Sequence, residues 1–113
     1  METKSAFFLP TTLAIQSEYD IKNGFLGHHQ TFNYKGKNVW YGVVEYSTST
    51  SQTLSVITHE IYEAATDPDL RSGYFDRAQN GEGEIGDFCN LMQEPFDGYP
   101  VQLVWSQSSC SCK

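Results

Sequence analysis

One helical period interrupts a chain otherwise patterned as strands. Leu54, Ile57, Ile61 and Ala64 or Ala65 recur at i, i+3 and i+7 behind the N-cap candidates of "STSTSQT", which predicts an amphipathic helix from about 52 to 66. It must stop near Asp67, because the residue before Pro68 is disfavoured in the α region. Before the helix, "SAFFLP" and "TLAIQS" read as short strands followed by a polar turn at "EYDIKNG". "HQTFNY" and "NVWYGVVEYS" flank "KGK", with Gly36 at its centre, the clearest hairpin in the chain. Val39, Tyr41 and Val43 alternate with Trp40, Gly42 and Val44, so both faces of that strand are partly apolar and it belongs inside a sheet or under a helix. After the helix, residues 67–98 read as a long Gly- and Asp-rich loop, and "YPVQLVWS" closes the fold as a strand with Val101, Leu103 and Trp105 on one face.

At 113 residues the chain makes one domain, 1–113, with room for a single modest core. The expected architecture is α+β: a small mixed or antiparallel sheet packed on one main helix, with a long acidic loop, as a monomer. No apolar run approaches the roughly 20 residues of a bilayer span. The formal charge of −7 argues against a nucleic-acid partner, since the seven Lys and Arg are scattered and form no basic stripe. Ten of the fourteen acids lie between residues 60 and 98 against Arg71 and Arg77, so that segment should attract cations.

The helix carries the chemistry in "THEIYEAATDPD", residues 58–69. Residues i and i+4 stand one above the other on a helix, so His59 and Glu63 can present a ring nitrogen and a carboxylate oxygen to one ion. Glu60, about 100° further round, can reach a water on that ion as general base, the division of labour in H-E-x-x-H metallopeptidases. Four acids compete to be the third ligand. Asp69 stands at the offset of the third ligand in H-E-x-x-H-x-x-G-x-x-H, but β-branched Thr66 occupies the Gly position. Asp67 precedes Pro68 and can turn away to cap the helix end. Glu84 and Asp87 stand in "GEIGDFC", where Gly83 and Gly86 allow a close backbone approach, and Asp87 is favoured. One imidazole with two carboxylates is a harder set than usual for Zn2+, so Ca2+ or Mn2+ stay open as alternatives, and only His59 argues for a transition metal.

The three cysteines, Cys89, Cys110 and Cys112, lack the paired C-x-x-C units of a zinc ribbon. A disulfide from Cys89 to Cys110 or to Cys112, with one thiol left over, is the better reading and implies an oxidising compartment. The apolar stretch in "METKSAFFLPTT" is too short for a signal peptide and is broken by Pro10. Either the targeting segment is absent from this chain, or the chain is intracellular with free thiols.

Five blocks in order, "GFLGHH" (24–29), "VWYGVV" (39–44), "THEIYEAATDPD" (58–69), "GEIGDFC" (83–89) and "YPVQLVWSQSSC" (99–110), resemble those of the exordium-like or phosphate-induced protein family of plants and its bacterial and fungal relatives. The resemblance covers roughly residues 20–112 and implies a secreted, extracellular domain of zincin-like appearance. Carried over position by position, it points to His59, Glu60, Glu63, Asp67, Glu84, Asp87, Cys89 and Cys110, with His29 as a further polar position. It also implies a Cys89–Cys110 disulfide. This chain departs from many relatives in lacking a cysteine in the "GFLGHH" block and in ending "CSC".

Two functional expectations follow. The first is a zinc metallopeptidase-like hydrolase acting on a peptide or protein. In it His59, Glu63 and Asp87 hold the metal, Glu60 activates water and His29 is an oxyanion donor, while the strand with Trp40 and Tyr41 pairs with an extended peptide. The alternative is a non-enzymatic extracellular or cell-wall-associated binding module, in which metal and disulfide staple the long loop.

Overall fold

A computed structural model of the chain describes residues 6–11, 26–45, 49–70, 72–76 and 83–113, the first of these stretches by its backbone alone. The expected strand "TLAIQS" and the turn "EYDIKNG" lie outside the described residues. Strand β1 (Ala6–Thr11) falls where "SAFFLP" was read as a strand. Strands β2 (Gly27–Tyr34) and β3 (Lys37–Glu45) form the expected hairpin. Its connection is the two-residue pair Lys35 and Gly36 with φ of 50° and 79°, the double left-handed conformation that matches strand twist in tight hairpins. The amide of Gly36 donates to Oδ1 of Asn33 at 3.1 Å, which fixes the turn.

The sheet order is β1-β3-β2, with β1 parallel and β2 antiparallel to β3. This is a mixed sheet, one of the two kinds expected from sequence, and it corrects one reading. With both edges of β3 already paired, the strand of Trp40 and Tyr41 has no free edge for a peptide.

Helix α1 (Thr50–Thr66) starts two residues before the predicted boundary, at Ser49, whose side chain accepts from the amide of Gln52 at 3.3 Å. It ends as Pro68 requires: the amide of Asp67 donates to the carbonyl of Glu63 at 2.7 Å and the chain turns away. A 3-10 turn (Asp87–Cys89) follows, then β4 (Gln93–Phe96) paired with β5 (Tyr99–Gln102), and β6 (Trp105–Ser106) paired with β7 (Ser111–Cys112). The stretch expected as one closing strand is thus divided between two small sheets. The end of the expected loop is likewise a hairpin, turned by Asp97 and Gly98 at φ of 48° and 82°. An Asp-Gly pair is itself a hairpin signal in the sequence.

The helix packs on β2, β3 and β5. Its inward stripe is Val56, Glu60 and Glu63, continued by Asp67, while Ile61 is 43 % exposed. The apolar series of the sequence therefore does not supply the deepest face. Among the described residues, buried Val44, Val56 and Cys89 are outnumbered by buried His29, Ser55, Glu60, Glu63, Asp67 and Gln102. Such an interior is stable only if its polar groups find partners.

Candidate metal centre

Four elements converge on the polar face of α1. The helix brings His59, Glu60 and Glu63 and ends at Asp67, β2 supplies His29, the turn before Cys89 supplies Glu84 and Asp87, and β5 supplies Gln102. Two glycines make the approach sterically feasible. A Cβ on Gly27 would stand 2.7 Å from Val56 Cγ1 and 2.8 Å from Glu60 Oε1. A Cβ on Gly86 would stand 2.8 Å from Glu63 Oε1 and 2.9 Å from His59 Nδ1.

His59 Nε2 lies 3.0 Å from Glu63 Oε1 and 3.6 Å from Asp87 Oδ1. Ligand atoms on a tetrahedral zinc ion stand roughly 3.3–3.6 Å apart, from bonds of about 2.0–2.2 Å. Glu63 and Asp87 each therefore stand beside His59, although Asp87 joins neither tighter group, His29 with Glu63 and Glu84 or His59 with Glu60 and Glu63. Asp87 holds its place by accepting the amide of Glu84 on Oδ2 at 3.1 Å. Despite its closeness to His59, Glu63 Oε1 is buried without a hydrogen bond of acceptable geometry, as is Oε1 of Glu84. Buried carboxylate oxygens without donors fit a cation better than they fit a finished hydrogen-bond network.

On the other side of the helix stripe, His29 Nδ1 donates to Glu60 Oε2 at 3.3 Å and Nε2 donates to the carbonyl of Asp67 at 3.2 Å. Nε2 also stands 3.5 Å from Glu84 Oε1. One ligand atom each from His29, Glu63 and Glu84 lies within 4.8 Å of the others, and the same holds for His59, Glu60 and Glu63. Glu63 is common to both groups.

The electrostatics follow from crowding acids out of water. Burial by itself would lower His29, but the Glu60 hydrogen bond, the charge of Glu84 and the Asp67 carbonyl outweigh it and raise the imidazole to about 9. Burial likewise opposes the charging of His59, and Glu63, Glu60 and Asp87 outweigh it, to about 9. Burial, then the neighbouring charges of Glu63 and Asp87, push Glu84 up to about 8 against the pull of His29. Glu63 is also raised, by burial first, with His59 pulling it down and Asp87 and Glu60 adding to the rise. Without metal, the cluster holds protons where cations would relieve the same repulsion.

Asp67 and Asp69, the other two acids weighed as ligands, serve the loop instead. Asp67 is fully buried and accepts the amides of Ser72 at 3.0 Å and Gly73 at 2.7 Å on Oδ1. Asp69 accepts from Trp40 Nε1 at 3.1 Å and from Ser72 Oγ at 3.3 Å. Gln102 escaped the sequence reading altogether. Only its place between Val101 and Leu103 in an apolar run marked it, as a polar residue facing opposite to them.

The disulfide joins Cys89 to Cys112, with Cα atoms 5.8 Å apart, and Cys110 is free and exposed. This corrects the expected Cys89–Cys110 link. Pairing of β6 with β7 sets Cys112 beside Trp105, whose ring stacks on Phe88 at 5.6 Å next to Cys89. Cys110 instead sits in the turn at φ 49°. Comparison with protein-family models, with curated proteins and with solved structures finds no match to this chain.

Proposed function

We propose that this domain is a metal-dependent peptidase-like hydrolase of zincin-like and exordium-like character, in which His59, Glu63 and Asp87 hold a divalent cation and Glu60 is the general base. The observation that carries the reading is the pair of distances from His59 Nε2, to Glu63 Oε1 and to Asp87 Oδ1, around the buried Glu63 carboxylate. Zn2+ fits the imidazole, and Mn2+ or Ca2+ fit the acids. A cation there would act as a Lewis acid on a carbonyl oxygen and make water easier to deprotonate.

The chain's own groups divide the remaining work. Glu60 stands on the same helix face as the ligands, one step from them, and takes the proton of the attacking water. His29 holds Oε2 of Glu60 through Nδ1, 3.3 Å away, so in this reading it positions the base rather than donating to an oxyanion. Solvent reaches the centre on the side of His59 and Asp87, whose side chains keep 13 % and 20 % of their exposure, against 4 % for Glu60. A carbonyl substrate would approach there. The disulfide supports an oxidising, extracellular setting. No described helix is long and apolar enough to cross a membrane.

A second reading, a binding module with a structural metal, is favoured by the depth of Glu63 and by the disulfide that fastens the Glu84–Asp87 turn. One experiment separates them. Zinc-loaded wild type should cleave members of a mixed peptide library, His59→Ala should release the metal, and Glu60→Gln should keep metal and fold while losing about 10²–10⁴-fold in rate. Fully loaded wild type that cleaves nothing would leave the structural-metal reading standing. Equal metal retention by wild type and His59→Ala would remove the site from both.

A further inference from the structure

We propose a second cation site beside the first, formed by Nε2 of His29, the carboxylate of Glu84 and the carboxylate of Glu63, so that Glu63 bridges two metal ions. It rests on the first-cation reading above and extends it from a mononuclear to a dinuclear centre.

The arrangement is nearly symmetric about Glu63. Each imidazole turns Nε2 towards one acid of the Glu84–Asp87 turn: His59 to Asp87 Oδ1 at 3.6 Å, His29 to Glu84 Oε1 at 3.5 Å. Both separations match neighbouring ligand atoms on one ion. Glu63 places Oε1 at 3.0 Å from His59 Nε2, and one of its oxygens also lies within 4.8 Å of ligand atoms of both His29 and Glu84, so the one carboxylate stands beside both groups. Paired metal ions in hydrolytic sites stand roughly 3.5–4 Å apart, the span of a bridging carboxylate.

His29 is also oriented as metal-binding histidines are. Its Nδ1 donates to the Glu60 carboxylate, which fixes the ring and leaves Nε2 to face the ligand group. The carbonyl of Asp67, 3.2 Å from the same nitrogen, adds an oxygen donor. Three buried carboxylate oxygens lack hydrogen bonds: Oε1 of Glu63 on the His59 side, Oε1 of Glu84 on the His29 side, and Oδ2 of Asp67. Charge points the same way. One divalent ion leaves three of the five carboxylate charges of Glu60, Glu63, Asp67, Glu84 and Asp87 uncompensated, and two leave one.

The test is metal stoichiometry and magnetic coupling on the full chain. Protein stripped with a chelator is titrated with Zn2+ alone, freed of excess by gel filtration and assayed for metal, and a parallel sample is loaded with Mn2+ for electron paramagnetic resonance. Wild type should bind two equivalents and show a spin-coupled Mn2+ pair. Glu84→Gln, which keeps the shape of the half-buried side chain, and His29→Ala should each bind one and lose the coupling. A single equivalent in wild type, or two uncoupled ions unaffected by Glu84→Gln, would overturn the second site while leaving the first. No bound metal in wild type would overturn the first-cation reading as well.

Discussion

One nitrogen of Gln102 serves both His59 and the turn that faces it: Nε2 donates to Nδ1 of His59 at 2.8 Å and to the carbonyl of Gly86 at 3.0 Å. The amide orientation is set by its backbone partners, since Gly86 offers an acceptor and the amide of Leu91 donates to Oε1 at 3.4 Å. With His59 neutral, Nδ1 accepts and the ring's one proton sits on Nε2, between Glu63 and Asp87; the pull of those acids towards the imidazolium works against this hydrogen bond. A cation held by Nε2 would require the proton on Nδ1, and Gln102 would have to turn its amide to accept it, giving up its bond to the Gly86 carbonyl.

Gln102 should therefore act on metal affinity as well as on stability. Gln102→Ala removes the orienting partner of His59 and is expected to weaken Zn2+ binding about 10- to 100-fold. Loss of its buried hydrogen bonds should cost about 1–3 kcal/mol. Calorimetric zinc titration and denaturant melts measure the two. An unchanged affinity in the folded variant would assign Gln102 a purely structural role.

The metal-free protein should lose stability as pH rises. His29 is raised from 6.5 to about 9, so its favourable charge is fully present below about 6.5 and is lost as pH climbs through 9. Glu84 is raised from 4.5 to about 8, so between these values the folded chain holds a proton the unfolded chain has released, and stability again falls with pH. Both run in the same direction. Thermal melts of chelated protein should give a lower Tm at pH 9 than at pH 5, and zinc should remove the decline. A flat or rising Tm in the chelated sample would contradict these proton assignments.

The two C-terminal cysteines should behave differently. Cys112→Ser opens a loop spanning 23 positions, worth about 3–4 kcal/mol in the chain-entropy model. Cys110→Ser alters an exposed turn thiol and should stay within about 0.5 kcal/mol of wild type. Non-reducing peptide mapping should recover Cys89 joined to Cys112, and recovery of Cys89 joined to Cys110 would refute the assignment.

Gly86 should tolerate no side chain. A methyl group there would meet Glu63 Oε1 and His59 Nδ1 at under 3 Å, so Gly86→Ala must push the turn, and Asp87 with it, away from the helix. Zinc affinity should fall together with a stability loss of about 1–3 kcal/mol. Wild-type affinity in this variant would show that the turn contributes no ligand.

The helix, its end before Pro68, the Lys35–Gly36 hairpin and the pairing of His59 with Glu63 were all legible in the sequence. Each is written within a few residues, by N-cap chemistry, proline sterics, left-handed turn residues or the i, i+4 spacing. The apolar stripe Leu54–Ile57–Ile61 was equally plain, yet Ile61 lies exposed and the stripe of Val56, Glu60, Glu63 and Asp67 turns inward. Helical period fixes which residues share a face, but which face is buried depends on what stands opposite. Here that is His29, 31 residues from Glu60, and Gln102, 43 residues from His59. Likewise, two cysteines two residues apart compete for Cys89 on equal terms in the sequence, and only the pairing of β6 with β7 turns Cys112 towards it. Local sterics belong to neighbouring residues and are readable along the chain, whereas the desolvation and charge that shape this centre arise only once distant segments share one interior.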